Sequence, residues 1–424
     1  MKFSRLLSML SLVCGVCLLF IDTGLAGNKL HLSTKSQAAK SAFVDAVQLL
    51  ENQQFQQVLP EAQKAIAADS NFAMALMLQS SFVPQAQRIP LLEKALTKKM
   101  SDGERMYIHA MLVLRQGKNQ ESLDEFTALR KTYPGDRMVQ MMYAQLQMGQ
   151  GNFAEAIQGF KFAENIDAST TRAKSLTGSC YLLTGNYDEA RTVYKKVLSM
   201  TDPDASPFIP FFGMAWADIY QGNHQNAFKI YDEYLARYNR NGAAQGFPPV
   251  WIWNQIARVH LELGDPAEAL RCYETGYKSV QPTPDSQVDS TQKLVWLGRM
   301  KHGKARSLAK LSRFEEADAI IAEVKKMIDE GGEQAEQYIP AYHYLVGYIM
   351  LEKKNYPAAV EHLEKSDQSD AFQTYLLAKA YYKNGQETQA REKFQAVVDS
   401  NNNNVERALS YPTSYKMLHK LAAK

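Results

Sequence analysis

The cysteines and histidines of this 424-residue sequence, the side chains most often used for soft-metal ligation and nucleophilic or acid–base chemistry, are few and scattered, four and eight in number. Cys14 and Cys17 lie in an apolar amino-terminal run, while Cys180 and Cys272 stand far apart, in no CxxC pair or Cys/His cluster. Two such thiols build no disulfide framework and read as small buried hydrophobes. His302 and His343 have no acid or thiol nearby in a recognisable pattern, and His362 follows Glu361 with nothing recurring at zinc-site spacing. No GxxxxGK[ST], HExxH or GxSxG occurs. Met138, Met141, Met142 and Met148 crowd together, with Met106 and Met111 upstream. Thioethers favour Cu(I), but such a run reads better as adaptable packing or a soft ligand-contacting patch. These residues predict no enzyme, no cofactor and no metal site. With 48 Lys+Arg against 45 Asp+Glu, there is no general attraction to nucleic acid or anionic membrane either.

The elements that would position any binding residue begin after an address. Lys2 and Arg5 precede the uncharged run Leu6 to Ile21, and small residues follow at Gly24 and Ala26. That pattern predicts a secretory signal over 1–26, cleaved after Ala26, and hence a periplasmic or secreted protein exported through the Sec pathway. The run is shorter than a spanning helix needs, and no other run is long and apolar enough, so no transmembrane anchor is expected in the mature chain.

The remainder repeats. Gly151-Asn152-Phe153-Ala154-Glu155-Ala156 returns 34 residues later as Gly185-Asn186-Tyr187-Asp188-Glu189-Ala190. Related turns occur at Gly117, Gly222, Gly264, Arg313-Phe314, Asn355-Tyr356 and Gly385. Around Gly185 stand the small Gly178, the aromatics Tyr181 and Tyr194, and Ala190; around Gly264 stand Trp253, Ala257, Ala269 and Tyr273. Small residues let two antiparallel helices approach, aromatics fill the gap to the next pair, and glycine ends the first helix in a left-handed conformation. Period and markers resemble the tetratricopeptide repeat (TPR) family. The resemblance implies an all-α fold, a right-handed superhelical solenoid of stacked antiparallel helix pairs, over 103–402.

Residues 27–102 read as degenerate repeats, with second helices starting at Pro60 and Pro90 because proline suits a first helical position. Residues 403–424 read as a helix capping the last apolar face. Turn formers predict longer connections over Thr201–Pro207, Asn239–Pro249 and Gln281–Ser290.

In this family the first helix of each pair lines the concave face, and the turns set its register. The resemblance therefore implies a groove containing Tyr107, Met141, Gln145, Phe212, Trp216, Trp251, Asn254, Arg258, Arg299, Arg306, Tyr348 and Lys379. It runs from a Met-rich start through a basic centre to an aromatic end. Guanidinium beside aromatic rings suits carboxylates and extended peptide. The leading expectation is thus an exported, non-catalytic scaffold or adaptor for a protein or peptide partner, with cell-envelope assembly as the family analogy. The alternative is a small-molecule or glycan module with a pocket at Trp216, Trp251 and Arg258. An enzyme, or a subunit of one, with a site spread over several repeats is the remaining class.

Overall fold

In a computed structural model of the chain, residues 28–202, 207–241, 249–280 and 290–422 are described. The expected signal segment, residues 1–26, and most of the three long connections lie outside the described residues. Helices follow one another in antiparallel pairs, each packed on the next: α1 (Gln37–Glu51) with α2 (Phe55–Ala68), α3 (Ala73–Ser80) with α4 (Gln85–Leu96), and α5 (Asp102–Arg115) with α6 (Asn119–Thr132). The series continues through α7 (Arg137–Gly149) and α8 (Phe153–Ile166), α9 (Arg172–Leu183) and α10 (Tyr187–Met200), and α11 (Phe208–Tyr220) and α12 (His224–Asn241). Then come α13 (Pro249–Leu263) and α14 (Pro266–Val280), and α15 (Ser290–Lys310) and α16 (Phe314–Glu330). After a 3-10 turn at Gly332–Tyr338 stand α17 (Ile339–Glu352) and α18 (Tyr356–Leu363), α19 (Ala371–Lys383) and α20 (Glu387–Asp399), and a last helix, α21 (Val405–Ala422). This is the expected all-α solenoid.

The turn signature works as its chemistry requires. Gly151 and Gly185 hold φ at +81° and +80°. Where a pair lacks glycine, Gln53, Ser312 and Lys354 take φ of 62°, 62° and 60° at the corresponding place, a conformation that costs a residue with a Cβ roughly 1–2 kcal/mol. Close approach is equally explicit: a Cβ on Gly178 or Gly213 would sit 2.6 Å or 2.4 Å from the Tyr194 ring, which is fully buried between their helices.

Two expectations need correction. Pro60 and Pro90 lie inside α2 and α4, which begin at Phe55 and Gln85. Amphipathic burial of Val58, Ala62 and Ala65 in α2, and of Leu92 and Ala95 in α4, carries each helix through its proline despite the lost backbone bond. The second concerns α21. It covers α20 but also lies across α19, α11 and α13, so it runs inside the curve of the solenoid instead of only closing its end.

The solenoid also touches itself across its curve. Gln53 Nε2 donates to Thr171 Oγ1 at 3.1 Å and Ser175 Oγ at 2.8 Å, tying the α1–α2 turn to α9. Asn401 Nδ2 donates to Gly149 O at 3.3 Å, tying the segment before α21 to the end of α7.

Candidate functional site

The first helices of the early pairs form a cavity of about 540 Å3. Its walls are Leu50 and Phe55 from the first pair, Met77 and Leu78 from α3, Tyr107 and Met111 from α5, and Met138, Met141 and Met142 from α7. Tyr107, Met111 and Met141 are buried, whereas Arg115, Asn119 and Gln150 form an exposed rim. Tyr107 packs edge-on against Phe126 at 5.0 Å, and burial raises its phenol above the ordinary range.

At the inner end Glu51 is almost fully buried and meets two guanidiniums: Arg137 Nη2 at 2.5 Å and Arg172 Nη1 at 3.5 Å. Arg137 also reaches Asp167 at 3.1 Å, and Arg172 Nη2 donates to Gln145 Oε1 at 2.8 Å. Pairing with two guanidiniums at this end offsets the cost of burying the Glu51 side chain.

Further along, the concave face is filled. Val405 and Ala408 of α21 are buried in one cluster with Phe212, Trp216, Tyr220 and Ile256. Arg258 Nη1 pairs with Glu406 Oε1 at 3.1 Å, and its guanidinium lies 4.8 Å from the Phe372 ring. Arg407 Nη1 donates to Tyr220 OH at 2.8 Å. Arg306 is enclosed by tyrosines, donating to Tyr344 OH at 2.8 Å and Tyr273 OH at 3.0 Å, with the Tyr348 ring 5.5 Å away. Burial pushes the Tyr220 and Tyr344 phenols up to about 12, partly offset by the neighbouring guanidiniums, so both are neutral acceptors at physiological pH.

The expected groove therefore divides. Tyr107, Met141 and Gln145 line the cavity. Phe212, Trp216, Arg306 and Tyr348 are core side chains, and Arg258 is held by α21. Trp251 packs on Phe208 at 4.8 Å and Phe212 at 5.4 Å, so the expected Trp216–Trp251–Arg258 pocket is occupied by its own rings and by α21. Asn254 and Lys379 are half-buried, and burial lowers the Lys379 pKa. Arg299 is exposed and stacks on Trp296 at 4.9 Å, away from the cavity.

Sequence reasoning missed Leu50, Phe55, Met77, Phe82, Arg115 and Arg172 as lining residues. Met77 and Phe82 fall where the repeat spacing breaks down; Arg172 comes from a helix further along the curve. Cys272 also has company not foreseen: His260 and Glu268 offer donor atoms within 4.8 Å. Arg271 already binds both oxygens of that carboxylate, and the thiol faces it at 3.5 Å. His109 Nδ1 lies 2.7 Å from Glu125 Oε1.

Tetratricopeptide repeat models match residues 109–168, 172–203, 213–281 and 374–401, over the helix pairs and glycine turns described above. The chain belongs to the tetratricopeptide repeat family. Solved structures to which this TPR chain is similar include a tetratricopeptide repeat protein from Parabacteroides merdae ATCC 43184, 13% identical over 62% of this chain and 99% of that one, TM-score 0.38. Another is the APC/C hetero-tetramer Cut9-Hcn1, 13% identical over 92% and 78%, TM-score 0.40. A third is YrrB, a TPR protein with an unusual peptide-binding site, 17% identical over 43% and 95%, TM-score 0.29. Comparison with curated proteins gives no match. A TPR solenoid is a scaffold of the kind that binds proteins and peptides. Among the described residues, no helix is long and apolar enough to cross a membrane.

Proposed function

We propose that this TPR protein is an exported, non-catalytic adaptor that holds a segment of a partner protein in the Met-lined cavity between α1, α3, α5 and α7. The observation that carries the reading is the contrast along one concave face. Its early part opens into a 540 Å3 cavity, whereas its middle is filled by α21. Flexible thioethers suit such a cavity, because methionine adapts to irregular apolar side chains without a fixed shape of its own. Export rests on Lys2, Arg5, the run Leu6–Ile21 and the small residues before Gly27. A role in assembling envelope structures remains the family analogy that motivates looking for the partner there.

The test is site-specific photo-crosslinking in the native cell. A photoreactive residue at Met142 is expected to trap a protein, and one at Trp251 is not. Crosslinks at position 251 alone would place the contact elsewhere and end the reading. Recovery of the envelope-associated protein with an amino terminus at Gly27 tests export, and recovery from cytosol with Met1 intact argues against it.

A further inference from the structure

The turn at Gly264 brings three metal-ligating side chains to one end of a helix pair. His260 stands in the last turn of α13, while Glu268 and Cys272 stand one turn apart on α14. One donor atom from each lies within 4.8 Å of the other two, and Cys272 Sγ is 3.5 Å from Glu268 Oε1. A tetrahedral Zn2+ holds sulfur at about 2.3 Å and oxygen at about 2.0 Å, which sets those two atoms about 3.5 Å apart. The imidazole nitrogen needs about 3.3 Å to the oxygen, so at most ~1.5 Å has to close, the reach of a side-chain rotation. An acid here is ordinary, since Glu121, Glu155 and Glu189 hold the position of Glu268 after their own turns. The other two ligands are not. Pairs turning at Gly117, Gly151, Gly185, Gly222 and Gly385 have no histidine or cysteine at the positions of His260 and Cys272.

The three groups are also available. The His260 ring lies flat on Phe228 at 4.0 Å, and among the described residues nothing hydrogen-bonds its nitrogens. Burial lowers its pKa, which leaves a neutral ring with an uncommitted lone pair. Arg271 holds Glu268, but its side chain is 60% exposed, and a solvated pair of this kind adds little stability. Its guanidinium already lies 6.0 Å from the Trp253 ring, a resting place once the carboxylate turns to an ion. Asp265 stays outside the set, because its Oδ1 caps α14 by accepting from Glu268 N at 3.0 Å.

We propose that His260, Glu268 and Cys272 form a zinc site, with water in the fourth position, that clasps α13 to α14 at the Gly264 turn. On binding, the Cys272 S–H bond breaks, its proton goes to solvent and the sulfur electron pair forms the S–Zn bond. Imidazole and carboxylate bind without losing a proton, and no electron is transferred. Thiolate and carboxylate together cancel the charge of the dication, so no net charge is left against the core. Sulfur and nitrogen beside one oxygen favour Zn2+ over Mg2+ or Ca2+. Helix α13 also carries Arg258, which holds α21, so the clasp bears on the filled part of the groove and not on the cavity.

The experiment is calorimetric titration of the chelator-stripped protein with Zn2+, with Co2+ as the optical probe. One Zn2+ is expected to bind at this site, Co2+ to give a thiolate-to-cobalt charge-transfer band, and excess Zn2+ to raise the melting temperature until EDTA is added. C272A abolishes the band, and C180A, which removes the other buried thiol, keeps it. H260Q and E268Q each weaken Zn2+ binding at least about 100-fold, the upper end of what losing an outer-shell partner costs. R271A tightens binding, because the carboxylate loses its competitor. E268Q and R271A alter solvated side chains, so their metal-free melts should match the parent and their effects report binding alone. No Zn2+ bound at about millimolar concentration, a band that survives C272A, or weaker binding in R271A overturns the proposal. So does binding that H260Q and E268Q leave unchanged, which would place the ion elsewhere, as at His343 and His362, whose Nδ1 atoms lie 3.0 Å apart. None of these outcomes touches the adaptor reading, which the crosslinks at Met142 decide.

Discussion

Met141 and Phe212 stand equally far before their turn glycines, Gly151 and Gly222, and so do Gln145 and Trp216. Each pair occupies one register position on the concave side, yet the fates differ. Met141 and Gln145 line a cavity, and Gln145 is held by Arg172. Phe212 and Trp216 are sealed in a cluster with Val405 and Ala408 of the chain's own last helix. Repeat register decides which way a side chain points. What it meets depends on residues far along the chain, and in this molecule the central part of the inner face has become core. The early part is a candidate surface because α21 is absent from its walls.

If that division is right, the two parts should respond to substitution on different scales. The largest effect is expected at Arg306. Arg306→Ala strips the donors from Tyr273 and Tyr344 and leaves Glu262 without its nearest guanidinium at 4.0 Å. Removing one member of such a buried set costs about 3–5 kcal/mol. Met142→Trp, in a region with room for the ring, should cost less than about 1 kcal/mol, below the usual overpacking penalty. Chemical denaturation of both variants measures the contrast, and equal losses would erase it.

Next is the bond that holds α21. Glu406→Ala leaves Arg258, whose side chain is 14% exposed, without its carboxylate. A hydrogen bond to a charged group contributes about 1.5–3 kcal/mol, and limited solvent access puts this one near 2. Hydrogen exchange over 405–422 should quicken, while exchange in α5 and α7 stays as it was. Unchanged exchange in α21 would mean that Val405 and Ala408 alone keep the helix in place.

Glycine substitutions separate packing from backbone strain. Gly213→Ala drives a Cβ into the Tyr194 ring, from which it would stand 2.4 Å, and should cost about 1–3 kcal/mol. Gly117→Ala meets nothing within 4 Å, so only its φ of +82° opposes the change, at about 1 kcal/mol. A larger loss at Gly117 than at Gly213 would show that turn conformation, and not helix approach, limits this solenoid.

These positions also show how far the sequence could be read. Glycine turns are local, and every one used to set the repeat lies between antiparallel helices. The matched stretches leave 28–108 and 282–373 uncovered, and there the turn residues are Gln53, Ser312 and Lys354, which adopt the left-handed conformation without being glycine. Packing of the flanking helices imposes that conformation, and no residue type announces it. Pro60 and Pro90 misled for a related reason: helix burial outweighed a local preference. The course of α21 was illegible in another way. Its helical character is local, but Arg407 reaches Tyr220 across 187 residues of chain, and nothing near Val405 names that partner. Tyr107, Met141 and Gln145 were legible as lining because the turns at Gly117 and Gly151 set their register on the first helix of each pair; Arg172 was not, because it reaches the cavity from α9.

The smallest effect is a matter of pH and belongs to the filled part alone. His302 lies 4.9 Å from the Tyr344 ring, with Nε2 3.1 Å from Ala341 O. Burial, followed by the Arg306, Arg258 and Arg299 charges, holds its pKa well below the ordinary 6.5, the carbonyl of Ala341 opposing only in part. Below about pH 6.5 the unfolded chain therefore binds a proton that the folded ring refuses. Stability is complete above that pH and falls as acid is added toward the folded-state pKa. One such proton contributes at most about 1.4 kcal/mol per pH unit. Burial also lowers the pKa of His260, His343 and His362, so the comparison must be with the parent protein. His302→Gln keeps a donor for Ala341 and removes the titration, so its stability should decline less steeply between pH 6.5 and 5. Cavity substitutions such as Met142→Trp should leave that slope alone. A slope unaltered by His302→Gln would mean that the ring takes up its proton in the folded state, and the packing of α15 against α17 would then be looser than the filled groove requires.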